Sequence, residues 1–229
     1  MTEKAMMKWD PCLDEYIAIL KKRRPSLIIK RIFDITAALA LIVILALPML
    51  LIAAAVAIDS PGGVFYRQAR VTKNGRIFKI IKFRTMRADA DRRGPAVTSG
   101  DDARITRVGQ LLRGCRLDEL PQLFNVVAGD MSFVGTRPEV PKFVAKYTPE
   151  MYATLLMPAG ITSEASIRFK DEADMFDNSA DPEADYLNIL LPRKMEYNLA
   201  SIKNFSLVGD LRTMVRTVLA VLGKDYSKK

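Results

Sequence analysis

No histidine occurs among the 229 residues of this chain. That absence removes every Ser/His/Asp or Cys/His catalytic arrangement and every imidazole metal site. Chemistry must run on carboxylates, Lys, Arg, Tyr, hydroxyls and bound metal. Cysteine is almost as scarce: Cys12 and Cys115 are the only two and lack paired spacing. Neither a disulfide framework nor a zinc site is encoded, and a reducing cytoplasmic setting fits. Acidic residues are in deficit. Asp and Glu total 26 against 35 Lys and Arg, a formal charge of +9, which suits anionic headgroups, nucleotides or nucleic acid without choosing among them. No internal repeat is visible, nor any linker that would split the soluble part into two domains.

What the chain does contain is an uncharged run from Ile35 to Ile58, interrupted by Pro48. About 24 apolar or small residues suffice to cross a hydrocarbon core as a helix. The run starts too deep and is too long for a cleaved signal peptide. Lys21, Lys22, Arg23, Arg24, Lys30 and Arg31 precede it, while Arg67, Arg70, Lys73, Arg76, Lys79, Lys82 and Arg84 follow. Loops rich in Lys and Arg stay cytoplasmic, so both ends want the same side. Pro48 removes a backbone donor and clashes with the carbonyl four residues earlier, giving a place to break. Two readings stand: a Pro-kinked transmembrane anchor, since spanning helices tolerate Pro, or a helix that enters, breaks and returns. The expected division is residues 1–29 as a basic amphipathic extension, 30–59 as a re-entrant membrane helix and 60–229 as one cytoplasmic domain.

The flanking segments read as mixed α/β. Leu13, Tyr16, Ile17 and Leu20 make a short helical pattern that suits either a membrane surface or a solvated helix. After the turn chemistry of Asp59-Ser60-Pro61-Gly62-Gly63, Val64 to Tyr66 reads as a short strand. Asn74-Gly75 between Val71–Lys73 and Ile77–Phe83 signals a hairpin. A polar stretch with Gly94, Pro95 and Gly100 reads as a mobile loop over Ala88–Asp102. A helix is expected over Ile105–Arg113 with Gly114 as its C-terminal cap. A second should start at Leu117-Asp118-Glu119-Leu120-Pro121 and end near Gly129. Then come a strand at Met131–Val134, a turn at Gly135–Pro138 and a helix over Lys142–Tyr147. Gly160-Ile161-Thr162 reads as a turn, Ile167–Phe169 as a strand and Pro182–Asn198 as a helix. Phe205–Leu222 is expected to be an amphipathic helix that packs on the core or lies in the membrane interface.

Asp118 and Glu119 stand side by side where a helix dipole and free backbone donors would stabilise negative charge. Acids in a first turn are ordinarily caps. Here, however, Arg113 and Arg116 precede them, Arg137 follows in a turn, and Lys82 and Arg84 end a strand. Such a cluster suits a phosphate substrate, because Arg offers planar, multidentate contacts to phosphate oxygens.

Four segments together carry a resemblance. They are Asp59-Ser60-Pro61-Gly62-Gly63-Val64-Phe65-Tyr66-Arg67-Gln68; Lys82-Phe83-Arg84-Thr85-Met86; Leu111-Leu112-Arg113 with Leu117-Asp118-Glu119-Leu120-Pro121-Gln122; and Gly129-Asp130-Met131-Ser132-Phe133-Val134-Gly135-Thr136-Arg137-Pro138-Glu139. In order and spacing the chain resembles the bacterial sugar transferases, monotopic phosphoglycosyl transferases of the bacterial inner membrane. The resemblance implies an enzyme that moves a sugar-1-phosphate from a nucleotide diphosphate sugar, UDP-linked, to polyprenyl (undecaprenyl) phosphate on the cytoplasmic face. It implies Mg2+, membrane lipids as partners and a covalent aspartyl intermediate. Asp118 falls on the nucleophile and metal position. Glu119 is its partner, for metal or for the acceptor's proton. Arg113 and Arg137 fall on phosphate and nucleotide positions, with Lys82 and Arg84 expected beside them. Pro48 falls on the membrane break. The chain departs from the common family pattern with Leu47 before Pro48, Thr136 before Arg137, and Ser163-Glu164-Ala165-Ser166 after Gly-Ile-Thr. Oligomeric state is open, a homodimer included.

The rival is a non-catalytic, basic, membrane-anchored module for acidic lipid or nucleic acid. It gives no reason for Asp118 and Glu119 in a ring of Arg. Phe65, Tyr66, Phe78 and Phe83 alternate as core candidates rather than as base-stacking platforms, so nucleic acid is not an expected partner.

Overall fold

The computed structural model describes residues 7–87, 90, 102–170, 181–221 and 223, so the loop expected over Ala88–Asp102 lies almost wholly outside the described residues. Helix α1 (Asp14–Lys22) places Asp14 and Glu15 in its first turn and Lys21 and Lys22 in its last, complementing the helix dipole. Its Tyr16 and Leu20, with Leu13 just ahead, are buried in the largest apolar cluster beside Tyr147, Tyr152, Leu190 and Met195. The apolar face of the N-terminal helix thus belongs to the core, while its polar face, with Glu15, Lys21 and Lys22, is exposed.

Helices α2 (Arg24–Ile44) and α3 (Ala46–Asp59) meet at Leu45 with a bend of 64°. Among the described residues no single helix is long and apolar enough to cross a membrane, although this bent pair passes on length and composition together. The break comes three residues before Pro48, for a reason the sequence contains. Proline lacks the N–H that Ile44 would accept, and its ring excludes that carbonyl from a helical position; α2 ends at Ile44. Backbone bonds resume on both sides, Leu45 N to Leu41 O at 2.8 Å and Met49 N to Leu45 O at 2.8 Å. The pair carries two faces. Ala38, Met49 and Val56 are buried against the rest of the chain, while Ile29, Ile32, Val43, Leu47, Leu50 and Ile58 are exposed.

Strands β1 (Phe65–Val71) and β2 (Ile77–Phe83) form an antiparallel hairpin that pairs Phe65 with Phe83 and Val71 with Ile77. Asn74 adopts φ 59° at the turn, the left-handed conformation that Asn tolerates and Asn-Gly signals. Helix α4 (Arg107–Gly114) begins at the Thr106 cap and ends at Cys115. The left-handed residue there is Arg116, φ 56°, and not Gly114, which lies inside the helix. Helix α5 (Gln122–Ala128) closes at Gly129, φ 89°, as read from the sequence.

Strand β3 (Met131–Val134) pairs in parallel with β4 (Ala159–Thr162), Met131 opposite Ala159. The sequence reading made Gly160-Ile161-Thr162 a turn; it is a strand, and its partner lies 28 residues upstream, where local pattern cannot reveal it. Gly135 and Gly160 let the two backbones cross so closely that a Cβ on Gly160 would overlap Gly135. The strand expected at Ile167–Phe169 is instead helix α7 (Glu164–Arg168), started by the Ser163 hydroxyl accepting from Ser166 N at 3.0 Å. The expected 142–147 helix is the short α6 (Pro141–Val144). The long helical stretch begins with α8 (Pro182–Asp185), widens to a π-turn at Tyr186–Leu190 and continues as α9 (Leu191–Lys203). Helix α10 (Leu207–Val221) exposes Val208, Leu211, Val215 and Val218 at helical spacing.

Candidate active site

Alternation along β2 puts Lys82 on the side of Phe78 and Ile80, the face turned to α5. There its Nζ meets Glu119 Oε1 at 2.7 Å. Arg137, from the turn after β3, donates to the same oxygen at 2.6 Å and to Oε2 at 3.4 Å. Glu119 is therefore shared between two cations from two sheets. Asp118 and Glu119 both belong to a tight 3-10 turn, Leu117–Glu119, ahead of α5 and not to its first turn as the sequence suggested. Lys82 and Arg137, rather than a helix end, hold the negative charge.

Arg113 is delivered by α4. Thr106 N donates to Thr85 O at 3.0 Å, and Gly109 lies so close that a Cβ there would overlap the Thr85 carbonyl. This contact lets Arg113 Nε donate to Thr85 Oγ1 at 2.9 Å. Its guanidinium is drawn down in pKa by burial, an effect that the neighbouring Asp118 charge opposes. Arg84 is used differently from the phosphate role expected of it. It is buried, and it donates to Ser60 O at 2.6 Å and Pro61 O at 2.9 Å, tying β2 to the turn after α3.

The two carboxylates diverge electrostatically. Burial raises the Asp118 pKa, with Lys82 pulling it down and Glu119 pushing it up. Its Oδ1 is buried with no hydrogen-bond partner. Glu119 suffers burial too, but Arg137 and Lys82 overcome it and hold its carboxyl well below the ordinary 4.5. Burial lowers Lys82, which the Glu119 charge counters. One carboxylate is thus a locked ionic partner and the other a desolvated anion in reach of Lys82, Arg113 and Arg137, a combination suited to nucleophilic attack on an electron-poor phosphorus.

Three residues that hold this arrangement carried no readable signal beyond their type. The Asn125 side chain pairs like a strand with β2, accepting from Ile81 N at 3.0 Å and donating to Lys79 O at 3.0 Å. Arg31, read only as part of the basic flank, donates to Val126 O at 2.7 Å and Val127 O at 3.2 Å. It satisfies the open carbonyls at the end of α5, fixing the apolar helix α2 to the helix that follows Asp118. Asp59, at the end of α3, accepts from Val108 N at 3.0 Å and fixes α4 in the same way.

Residues 25–224 match the sequence profile described as bacterial sugar transferase. An N-acetylgalactosaminephosphotransferase of Aeromonas hydrophila, named for UDP-N-acetylgalactosamine and undecaprenyl phosphate, is 37% identical over 198 residues, covering 85% of this chain and 44% of its own length. The exopolysaccharide production protein PSS of Rhizobium leguminosarum bv. phaseoli is 36% identical across 88% of this chain and 100% of its own. A UDP-glucose:undecaprenyl-phosphate glucose-1-phosphate transferase of Caulobacter vibrioides is 37% identical, covering 86% of this chain and 70% of its own. The chain thus spans less than half of the Aeromonas relative and the whole of the Rhizobium one.

Proposed function

The chain belongs to the bacterial sugar transferase family, and from that premise we propose that it transfers a sugar-1-phosphate from a UDP-linked sugar to undecaprenyl phosphate at the cytoplasmic face of a bacterial membrane. The observation that carries this reading is Asp118: a buried carboxylate with an unpartnered oxygen, facing three cations. A carboxylate oxygen attacks the phosphorus that bears the sugar. The Asp118 O–P bond forms, the P–O bond to the nucleoside monophosphate breaks, and the monophosphate leaves with the electron pair. Because its second pKa is about 6, it needs no strong general acid. An oxygen of the lipid phosphate then attacks the same phosphorus, and the bond to Asp118 breaks to restore the carboxylate.

Lys82, Arg113 and Arg137 offset the anionic charge that gathers as a carboxylate meets a diphosphate. The Asp118 carboxylate, whose Oδ1 has no partner within the protein, is a hard anionic ligand that fits Mg2+, which takes one or two carboxylates plus substrate phosphates. Bound there, the ion would neutralise diphosphate charge. Glu119, with its oxygens shared between Lys82 and Arg137, is assigned to ordering those cations rather than to the metal or the acceptor's proton.

The bent α2–α3 pair with its exposed apolar face supports a hook that enters and leaves on one side of the bilayer, and the apolar stripe of α10 supports contact with the interface. Since Arg31 and Asp59 tie the hook to α5 and α4, the hook sets the height of Asp118 above the lipid phosphates. Purified chain with undecaprenyl phosphate and Mg2+ should release UMP from UDP-glucose or UDP-N-acetylgalactosamine only when the lipid is present in excess over enzyme or, without lipid, in a single burst. No release from any nucleotide sugar would leave the basic-module reading in its place.

A further inference from the structure

Thr85 lies just past the end of β2, and its hydroxyl accepts from Arg113 Nε at 2.9 Å. That hydroxyl is fixed by the fold itself. Thr85 is buried, its carbonyl accepts from Thr106 N at 3.0 Å, and α4 lays Gly109 directly against its backbone. One residue earlier, Arg84 is tied to Ser60 O and Pro61 O. A β-branched side chain has few χ1 choices, so Thr85 Oγ1 is a stationary acceptor.

An acceptor on Nε decides what the rest of the planar guanidinium can do. The group offers five N–H donors in a fixed fork. With Nε occupied, Nη1 and Nη2 form the remaining end-on edge, whose two parallel N–H bonds match two oxygens of a phosphoryl group. Among the described residues neither of these nitrogens has a hydrogen bond or ion pair. Two observations put this edge at the Asp118 site. Arg116 N donates to Arg113 O at 3.1 Å, so one tight turn joins Arg113 to the 3-10 turn that carries Asp118. Burial lowers the guanidinium pKa and the Asp118 charge opposes it, an interaction that requires the two groups to be near each other.

We propose that Thr85 is a positioning residue for transfer: its hydroxyl, by holding Arg113 Nε, turns the Nη1–Nη2 edge toward two non-bridging oxygens of the phosphoryl group that Asp118 attacks. This rests on the transfer reading above. Arg113 supplies charge wherever its head lies, but it supplies direction only when its plane is held.

The test measures UMP release from UDP-glucose and UDP-N-acetylgalactosamine, with undecaprenyl phosphate and Mg2+, by full-length wild type, Thr85→Val, Thr85→Ala and Thr85→Ser. Thr85→Val keeps the shape and deletes the acceptor, and its rate should fall about tenfold, the worth of one hydrogen bond. Thr85→Ser restores the hydroxyl and should recover most of that loss. In Arg113→Lys, which keeps the charge without the fork, adding Thr85→Val should cost nothing further. A loss of equal size in both backgrounds overturns the proposal, as does a Thr85→Ser as slow as Thr85→Val. Thr85→Ala removes the same hydroxyl and is read in place of a Thr85→Val that does not fold; if neither folds, the hydroxyl serves the fold and the proposal fails. If Asp118→Asn is inactive and Thr85→Val transfers like wild type, the transfer reading stands and this inference falls; a wild type that releases no UMP overturns both.

Discussion

Asp118 and Glu119 adjoin in the chain and share one burial, yet their protonation equilibria move apart because only Glu119 touches cations directly. For Asp118 the folded pKa lies above the usual 3.8, so its ionised form works against folding, and the penalty is fully present above the folded value. Asp118→Asn should abolish transfer and raise Tm at pH 7, with the gain shrinking as pH falls toward 3.8; a Tm loss at pH 7 in a thermal melt would contradict this. Glu119 has the opposite sign. Its pKa is depressed, so its contribution is present above 4.5 and is lost as pH falls through the lower folded value. Glu119→Gln leaves Lys82 and Arg137 without their shared anion, and should cost about 3 kcal/mol in denaturant unfolding at pH 7, a loss that diminishes on acidification. The acid pair with Lys82, Arg113 and Arg137 was legible in the sequence, because residue type alone marks them; Arg116, read with them, donates instead to Lys170 O at 2.8 Å. The division of labour was not. That Arg84 serves Ser60 and Pro61 while Lys82, two residues away, serves Glu119 depends on which face of a strand end each side chain takes.

At the level of elements, local chemistry was readable wherever the cause was local. Asn74-Gly75 marks its hairpin, Gly129 its helix end, and Pro48 its break. Elements whose cause is a distant partner were not readable. Strand β4 exists because β3 pairs with it, and α5 is fixed by an Asn125 side chain acting as a strand and by Arg31 from α2. Pro48 offers the element-scale test. Pro48→Ala restores the N–H that Ile44 would accept and removes the ring clash, so α2 and α3 should join with a smaller bend. Tags at Met1 and Lys229 should report the same membrane side in the native chain and opposite sides in a growing fraction of Pro48→Ala. Opposite sides in the native chain would reject the hook. Gly160→Ala should cost about 2 kcal/mol in denaturant unfolding, because a Cβ there meets the Gly135 backbone, which cannot move aside.

Across the whole molecule, the cationic site, the bent apolar pair and the stripe on α10 belong to one arrangement. Arg31 and Asp59 link the hook to α5 and α4, while Lys30 on α2 pairs with Asp210 on α10 at 2.6 Å. On the proposed function, a soluble nucleotide sugar and a lipid phosphate would meet at one carboxylate, and a chain of net charge +9 would draw both anions there. The central claim is that this carboxylate is Asp118 and that it becomes covalently loaded. Intact-protein and peptide mass spectrometry, after incubation with UDP-glucose or UDP-N-acetylgalactosamine without acceptor, tests it most directly. The account predicts one phosphosugar on the peptide containing Asp118, discharged by undecaprenyl phosphate and absent in Asp118→Asn. Turnover with no adduct, or an adduct that persists in Asp118→Asn, would contradict it.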